Sequence, residues 1–140
     1  MKSEKELLAK PDNQITGNIG LYYVCYELSR KGWNVMPTAR NAKGVDVIAY
    51  KGDNFVSVQV KTLSKENPVP LGNNHEKILE NSGKYWVVVV LNKERKPNEA
   101  FVMLREEIKA QERKNKDGKV SFWLQPTEYK IFKNCWDKIK

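Results

Sequence analysis

The sequence contains no long apolar run and no recognisable targeting segment. Its longest apolar run, Tyr85 to Leu91, has seven residues, whereas a membrane-spanning helix needs about 20. The first ten residues mix acidic with basic side chains, and no apolar stretch leads to a small-residue cleavage site, so we expect no secretory signal. These absences predict a cytoplasmic protein that does not cross a membrane.

Cysteine and histidine are also scarce. Cys25 and Cys135 lie far apart and belong to no Cys-x-x-Cys pair, which excludes a zinc site of the usual spacing and agrees with reduced thiols. His75 is the only histidine. A Ser-His-Asp or Cys-His relay is therefore not indicated.

What the sequence does contain is enough apolar surface for a core and an excess of positive charge. The 140 residues are 40% hydrophobic, which predicts one packed domain spanning residues 1–140. Lys and Arg number 25 against 17 Asp and Glu, a net charge of +8. Such a charge attracts polyanions, nucleic acid first among them. Because many small soluble domains carry a comparable charge, the partner has to be argued from a site.

The hydrophobic pattern predicts a mixed α/β class with two secure elements. A helix over 16–31 buries Leu21, Val24, Cys25 and Leu28 on one face and stops at Gly32. The run Tyr85 to Leu91 predicts a central strand covered on both faces. Further strands are expected over 33–36, 45–50, 54–61, 99–104 and 119–124, with a charged helix over 105–114. We expect a loop over 62–84, with one helical turn as an option around Ile78 and Leu79, and a helical or mixed tail over 126–140.

A hairpin is expected where Gly52 and Asp53 form a two-residue loop of type II′. If Lys51 faces Asn54, Asp46 lies opposite Gln59, and Lys61, two residues further on, points the same way. A register slip of two residues would put Lys61 opposite Asp46 instead. In either register a carboxylate, an amide and an amine share a face, where they could hold a divalent ion beside a phosphate. The alternative is an ordinary exposed polar strand face.

Three segments carry a family resemblance: GNIGLYYVCYELSRKGWNV, GVDVIAY and VSVQVKT. In this order they resemble the PD-(D/E)XK nuclease superfamily, and in particular its small members similar to archaeal Holliday junction resolvases. The resemblance covers residues 17–62. It implies a restriction-endonuclease-like core, with a mixed central sheet of five or six strands flanked by helices.

The resemblance also implies roles for individual residues. Asp46 matches the metal-binding aspartate and Lys61 the motif lysine, which would position the attacking water. Gln59 stands where the family usually has Glu or Asp, and the backbone carbonyl of Val60 would add a metal ligand. Leu21 stands where the family has a helix glutamate. Loss of two acidic positions weakens a site for a hard cation.

The function that the resemblance implies is nucleic-acid binding with Mg²⁺-dependent (or Mn²⁺-dependent) phosphodiester hydrolysis. DNA is expected rather than RNA, and a homodimer is possible because oligomers are most often two-fold. Loop residues expected to contact nucleic acid are Arg40, Lys43, Lys65, Asn73 and His75. The alternative function is a catalytically inactive module of the same fold that binds nucleic acid or protein, which the residues at positions 21 and 59 favour.

Overall fold

The structure is a computed structural model that describes residues 13–39, 44–73, 79–80, 82–109, 111–114 and 116–140. The helices with described bounds are α1 (Asn13–Arg30) and α2 (Pro126–Tyr129), and 3₁₀ turns span Arg105–Glu107, Lys130–Phe132 and Trp136–Lys138. Its strands are β1 (Asn34–Pro37), β2 (Val47–Lys51), β3 (Asn54–Leu63), β4 (Val69–Gly72), β5 (Tyr85–Leu91), β6 (Pro97–Leu104), β7 (Gln111–Lys114) and β8 (Val120–Leu124). No helix within these ranges is long and apolar enough to span a bilayer.

The strands form two sheets. The larger sheet has the order β1-β2-β3-β5-β6, and only its β3–β5 pairing is parallel. The smaller sheet is antiparallel with the order β4-β8-β7. All seven residues of β5 are buried, as a strand covered on both faces requires. The predicted central strand and the mixed α/β class are confirmed.

Helix α1 covers one face of the larger sheet. Its buried side includes Val24 and Leu28, which pack with alternate residues of β2, β3, β5 and β6. The helix ends in a Schellman motif: the Trp33 N–H donates to the Leu28 carbonyl, and the N–H of Gly32, whose φ is +91°, donates to Ser29. The predicted stop at Gly32 is confirmed.

The opposite face of β5 and β6 is covered by the smaller sheet and α2. Trp86 and Phe101 of the larger sheet pack there against Leu124 of β8 and Tyr129 of α2. The Tyr129 ring lies 5.0 Å from the Phe101 ring, centroid to centroid, and its hydroxyl donates to the Asn67 carbonyl at 2.9 Å. A second sheet thus takes a position where the sequence predicted only helices.

Two predicted elements differ from the structure. The charged helix expected over 105–114 is wrong: a single 3₁₀ turn is followed by strand β7, whose backbone pairs with β8. The loop expected over 62–84 contains strand β4, which β8 also pairs. In both cases long-range pairing with β8 outweighs local preference, which a single sequence cannot reveal.

Candidate functional site

The hairpin that carries the site forms in the predicted register. Lys51 pairs with Asn54 and Val47 with Val58, and Gly52 has the positive φ of +55° that a type II′ turn places at its first central position. The paired ladder between β2 and β3 ends at Val47. It therefore stops one pair short of the expected match between Asp46 and Gln59.

Beyond the last pair of the ladder, Asp46 makes the hydrogen bonds between this segment and β3. Its N–H donates to the Val58 carbonyl at 2.9 Å, and its own carbonyl accepts the Thr38 N–H at 2.9 Å. Its Oδ2 accepts the Val60 N–H at 2.7 Å. The carboxylate is thereby fixed against the middle residue of the Gln59-Val60-Lys61 tripeptide.

The Val60 carbonyl faces the same gap. In a strand, the N–H and C=O of one residue point to the same side, since an antiparallel pair exchanges both bonds between two residues. Because the Val60 N–H points to Asp46, its carbonyl points toward the side where β2 has ended. Two groups whose oxygens could bind a metal ion, the Asp46 carboxylate and the Val60 carbonyl, therefore border one opening in the sheet.

A pocket of about 190 Å³ lies in front of this opening. Asp46 and Val60 line it from the sheet, and α1 lines it from above with one turn-spaced face comprising Gln14, Gly17, Asn18 and Leu21. The apolar Leu21 thus lies beside Asp46, at the position where the family resemblance places an acid. Among the described residues, neither Gln59 nor Lys61 lines this pocket.

Gln59 and Lys61 leave β3 on the other face of the sheet. They align with Trp86 and Val88 of β5, both of which belong to the core beneath the smaller sheet. Val60 alternates with them and packs toward α1. The prediction that Asp46, Gln59 and Lys61 share one face is therefore wrong: Asp46 lines the pocket on the α1 side, Gln59 and Lys61 lie on the opposite face, and the hydrogen bond between Asp46 and Val60 joins the two.

The Gln59 amide oxygen is an unpartnered polar atom. Gln59 is 8% exposed, and its Oε1 has no hydrogen-bond donor within the part of the chain that the structure describes. A buried acceptor without a partner costs about 1–3 kcal/mol. This oxygen is consequently available to a cation or an external donor.

The two charges of the site act on each other without forming a salt bridge. Burial raises the pKa of Asp46 above its ordinary value of 3.8, and the Val60 N–H together with the Lys61 charge partly oppose that rise. The Lys61 ammonium lies 5.8 Å from the centroid of the Trp86 ring. The Lys61 charge offsets the burial of the Asp46 carboxylate only in part. An additional cation would therefore stabilise its ionised form.

The donor set fits a divalent cation that is completed by other ligands. Within the described ranges no three His, Cys, Asp or Glu side chains gather in one place. Mg²⁺ nevertheless binds through one or two carboxylates while it keeps several waters and takes substrate phosphates. Asp46 and the Val60 carbonyl, which border one opening, fit the protein share of such a site, whereas the orphan Gln59 oxygen lies on the opposite face of the sheet.

The remaining predicted contacts divide into two groups. Lys65, after β3, and Asn73, after β4, are exposed. Arg40, Lys43 and His75 lie outside the described residues. Sequence reasoning missed Gln14 because it began the helix at residue 16, and it did not connect Gly17, inside that helix, with the pocket. With the observed start at Asn13, the i, i+3, i+4, i+7 spacing from Gln14 identifies the whole pocket face.

Comparison with solved structures identifies the fold. The chain is similar to Hjc, a Holliday junction resolvase from the archaeal hyperthermophile Archaeoglobus fulgidus, with a TM-score of 0.55 and 16% sequence identity. The match covers 82% of this chain and 88% of that chain. The restriction-endonuclease-like fold implied by the sequence resemblance is therefore confirmed. No protein-family model matches the sequence, and no curated protein matches it.

Proposed function

We propose that this chain binds nucleic acid and hydrolyses its phosphodiester bonds with the help of Mg²⁺. The observation that carries the proposal is the 2.7 Å hydrogen bond from the Val60 N–H to Asp46. It joins the Gly-x-Asp segment to the Gln-x-Lys segment within a fold similar to that of a resolvase. The net charge of +8 supports a polyanionic partner, and DNA is the expected one.

Each residue of the site has a distinct role in this proposal. Asp46 and the Val60 carbonyl would hold the cation, and Gln59 would add its neutral oxygen only by reaching the sheet opening from the opposite face. The Lys61 ammonium orients the attacking water or neutralises a phosphate oxygen. When bound, a divalent ion would supply electrostatic stabilisation of the charge that develops on the phosphorus-bound oxygens.

A second candidate, binding without hydrolysis, is favoured by one specific observation. Leu21 lines the pocket beside Asp46, so the pocket contains one carboxylate rather than two. A single carboxylate weakens cation binding and hence turnover. In that case the same fold would serve as a nucleic-acid-binding or protein-binding module, as a monomer or as a homodimer.

One assay separates the two candidates. Circular duplex DNA, branched DNA and RNA are incubated with the protein in Mg²⁺, Mn²⁺ or EDTA, and both cutting and binding are measured. We expect metal-dependent cutting that D46N and K61Q each reduce at least about 100-fold, because each removes one electrostatic or acid-base group from the site.

The matched controls carry the same chemical changes at exposed positions. D53N alters the tip of the same hairpin, and K93Q alters the turn after β5; both residues are exposed. These variants should cut like the wild-type protein. Binding without metal-dependent cutting would establish the second candidate, and cutting by D46N at the wild-type rate would refute the assignment of the site.

A further inference from the structure

Some of the basic side chains form ion pairs with glutamates, and others do not. In the C-terminal segment, three lysines are each engaged by a glutamate: Lys130 by Glu66 at 2.8 Å, Lys133 by Glu99 at 3.5 Å, and Lys138 by Glu107 at 2.8 Å. Arg30 and Lys31 share Glu27. Cations that lack such partners are the ones that attract an external polyanion.

Unpaired cations are concentrated on the ribbon formed by β7 and β8. Arg113, Lys114, Lys116 and Lys119 are all exposed, and none forms an ion pair with a described residue. Asp117 lies in the turn between the strands, where its Oδ1 accepts the Lys119 N–H at 2.9 Å. The ribbon end therefore presents a net positive surface.

The base of the ribbon is anchored while its tip is exposed. Leu124 at the end of β8 is buried, and Phe122 packs partly against the core beneath the smaller sheet. Toward the tip, Arg113 pairs with Ser121 and Lys114 with Val120, and the turn passes through Gly118, whose φ is +81°. A fixed base holds the charged tip away from the core.

The width of a two-stranded ribbon favours duplex DNA over duplex RNA as the ligand. Beyond Phe122, the last β8 residue that β4 pairs, only β7 and β8 continue; paired strands lie about 4.8 Å apart, and the major groove of B-form DNA, about 12 Å wide, admits a two-stranded β-ribbon. The major groove of A-form RNA is too deep and narrow for side chains to read. We propose that the β7–β8 ribbon enters the major groove of duplex DNA, where its four cations contact phosphates on both sides.

This inference rests on the proposed function, because it names the duplex as the nucleic acid bound. Its test is fluorescence anisotropy with a labelled 20-base-pair DNA duplex in EDTA, so that no cutting occurs. The ribbon variant is R113Q/K116Q/K119Q. The control, K93Q/K109Q/K140Q, removes the same charge from exposed lysines elsewhere, none of which forms an ion pair with a described residue. Circular dichroism melting establishes that both variants fold, since surface changes of this kind cost about 0.5 kcal/mol or less each.

We expect the ribbon variant to bind the duplex at least about tenfold more weakly than the wild-type protein at 0.1 M salt. Its plot of log affinity against log salt should be shallower by about 2–3, since each lost phosphate contact removes about 0.9 from the slope. The control should stay within about twofold of wild type, and a major-groove ligand, rather than a minor-groove ligand, should displace the protein.

Two results would refute DNA binding by the ribbon while leaving nucleic-acid binding by the protein intact. One is an equal loss of duplex affinity in both triple variants, and the other is wild-type affinity in the ribbon variant. Displacement by the minor-groove ligand alone would likewise refute the groove assignment. If the wild-type protein binds no nucleic acid, the proposed function itself is wrong and the ribbon inference falls with it.

Discussion

At the scale of single residues, Asp46 stabilises the fold independently of any role in catalysis. Its Oδ2 satisfies the Val60 N–H, which has no partner in the ladder once β2 has ended. A buried donor that loses its acceptor costs about 1–3 kcal/mol. The same carboxylate therefore fixes the strand and lines the pocket.

This double role predicts different stabilities for two variants. D46A leaves the Val60 N–H without an acceptor and should lower the free energy of unfolding by about 1–3 kcal/mol. D46N keeps an amide oxygen at the same place and should lose less than about 1 kcal/mol. Urea unfolding measures both. An equal loss in the two variants would show that the hydrogen bond does not hold this part of β3.

Leu21 is the residue that most limits a cation site. It lines the pocket next to Asp46, so L21E should bring a second carboxylate to the cation. We expect L21E to bind Mn²⁺ at least about tenfold more tightly than L21Q, a difference of about 1.4 kcal/mol. Calorimetric Mn²⁺ titration measures the affinity.

L21Q is the matched control because it removes the same apolar side chain and adds a neutral group of similar size. Both variants should therefore lose similar stability. If their Mn²⁺ affinities are indistinguishable, the pocket that Leu21 and Asp46 share is not where a cation binds.

At the scale of elements, prediction succeeded where local chemistry decides the structure. Gly52 requires the turn conformation that sets the β2–β3 register, and the apolar run at β5 marks a buried strand. Prediction failed over 105–114, where helix-forming charged residues instead form β7. The partner of β7 is β8, whose presence in the same sheet is a long-range fact.

The packing of α1 on β3 depends on Gly20. A Cβ at this position would overlap the Thr62 side chain, so G20A should destabilise the fold by about 1–3 kcal/mol. T62A in the same chain should recover part of the loss. G17A is the control, because nothing lies within 4 Å of a Cβ there, and it should stabilise the helix by about 0.5–1 kcal/mol.

Thermal or urea unfolding of the three variants decides the point. Equal stability of G20A and G17A would mean that α1 lies farther from β3 than the structure places it.

The turn Arg105–Glu107 is tied to the C-terminal turn by Glu107. Burial opposes ionisation of this carboxyl, but the Lys138 ammonium and the Leu104 N–H outweigh it and lower the pKa of Glu107 below 4.5. A lowered folded-state pKa adds stability above about pH 4.5 that is lost as the pH falls through the folded-state value. E107Q should therefore be less stable than wild type at pH 7, by about 1 kcal/mol.

That difference should shrink as the pH falls below about 4.5 and vanish once the pH lies below the lowered folded-state pKa of Glu107, where the protonated carboxyl no longer pairs with Lys138. Urea unfolding of wild type, E107Q and the neighbouring E106Q across pH 3–7 measures it. A deficit in E107Q that is constant with pH would contradict the ion-pair account.

At the scale of the whole molecule, the sequence sufficed for the fold class and for the two motifs, but not for the arrangement of the site. Parity along β3 correctly put Gln59 and Lys61 on one face. It could not show that the ladder ends at Val47, which turns Asp46 to the Val60 backbone and the α1 pocket. Strand ends depend on how the chain continues in space, and alternation alone does not encode them.

The central claim is that the Gly-x-Asp and Gln-x-Lys segments together hold one cation. The most direct measurement is anomalous diffraction from a crystal soaked in Mn²⁺. We expect a peak within about 2.0–2.3 Å of an Asp46 carboxylate oxygen and of the Val60 carbonyl. No peak at saturating Mn²⁺, or a peak that does not touch Asp46, would contradict it.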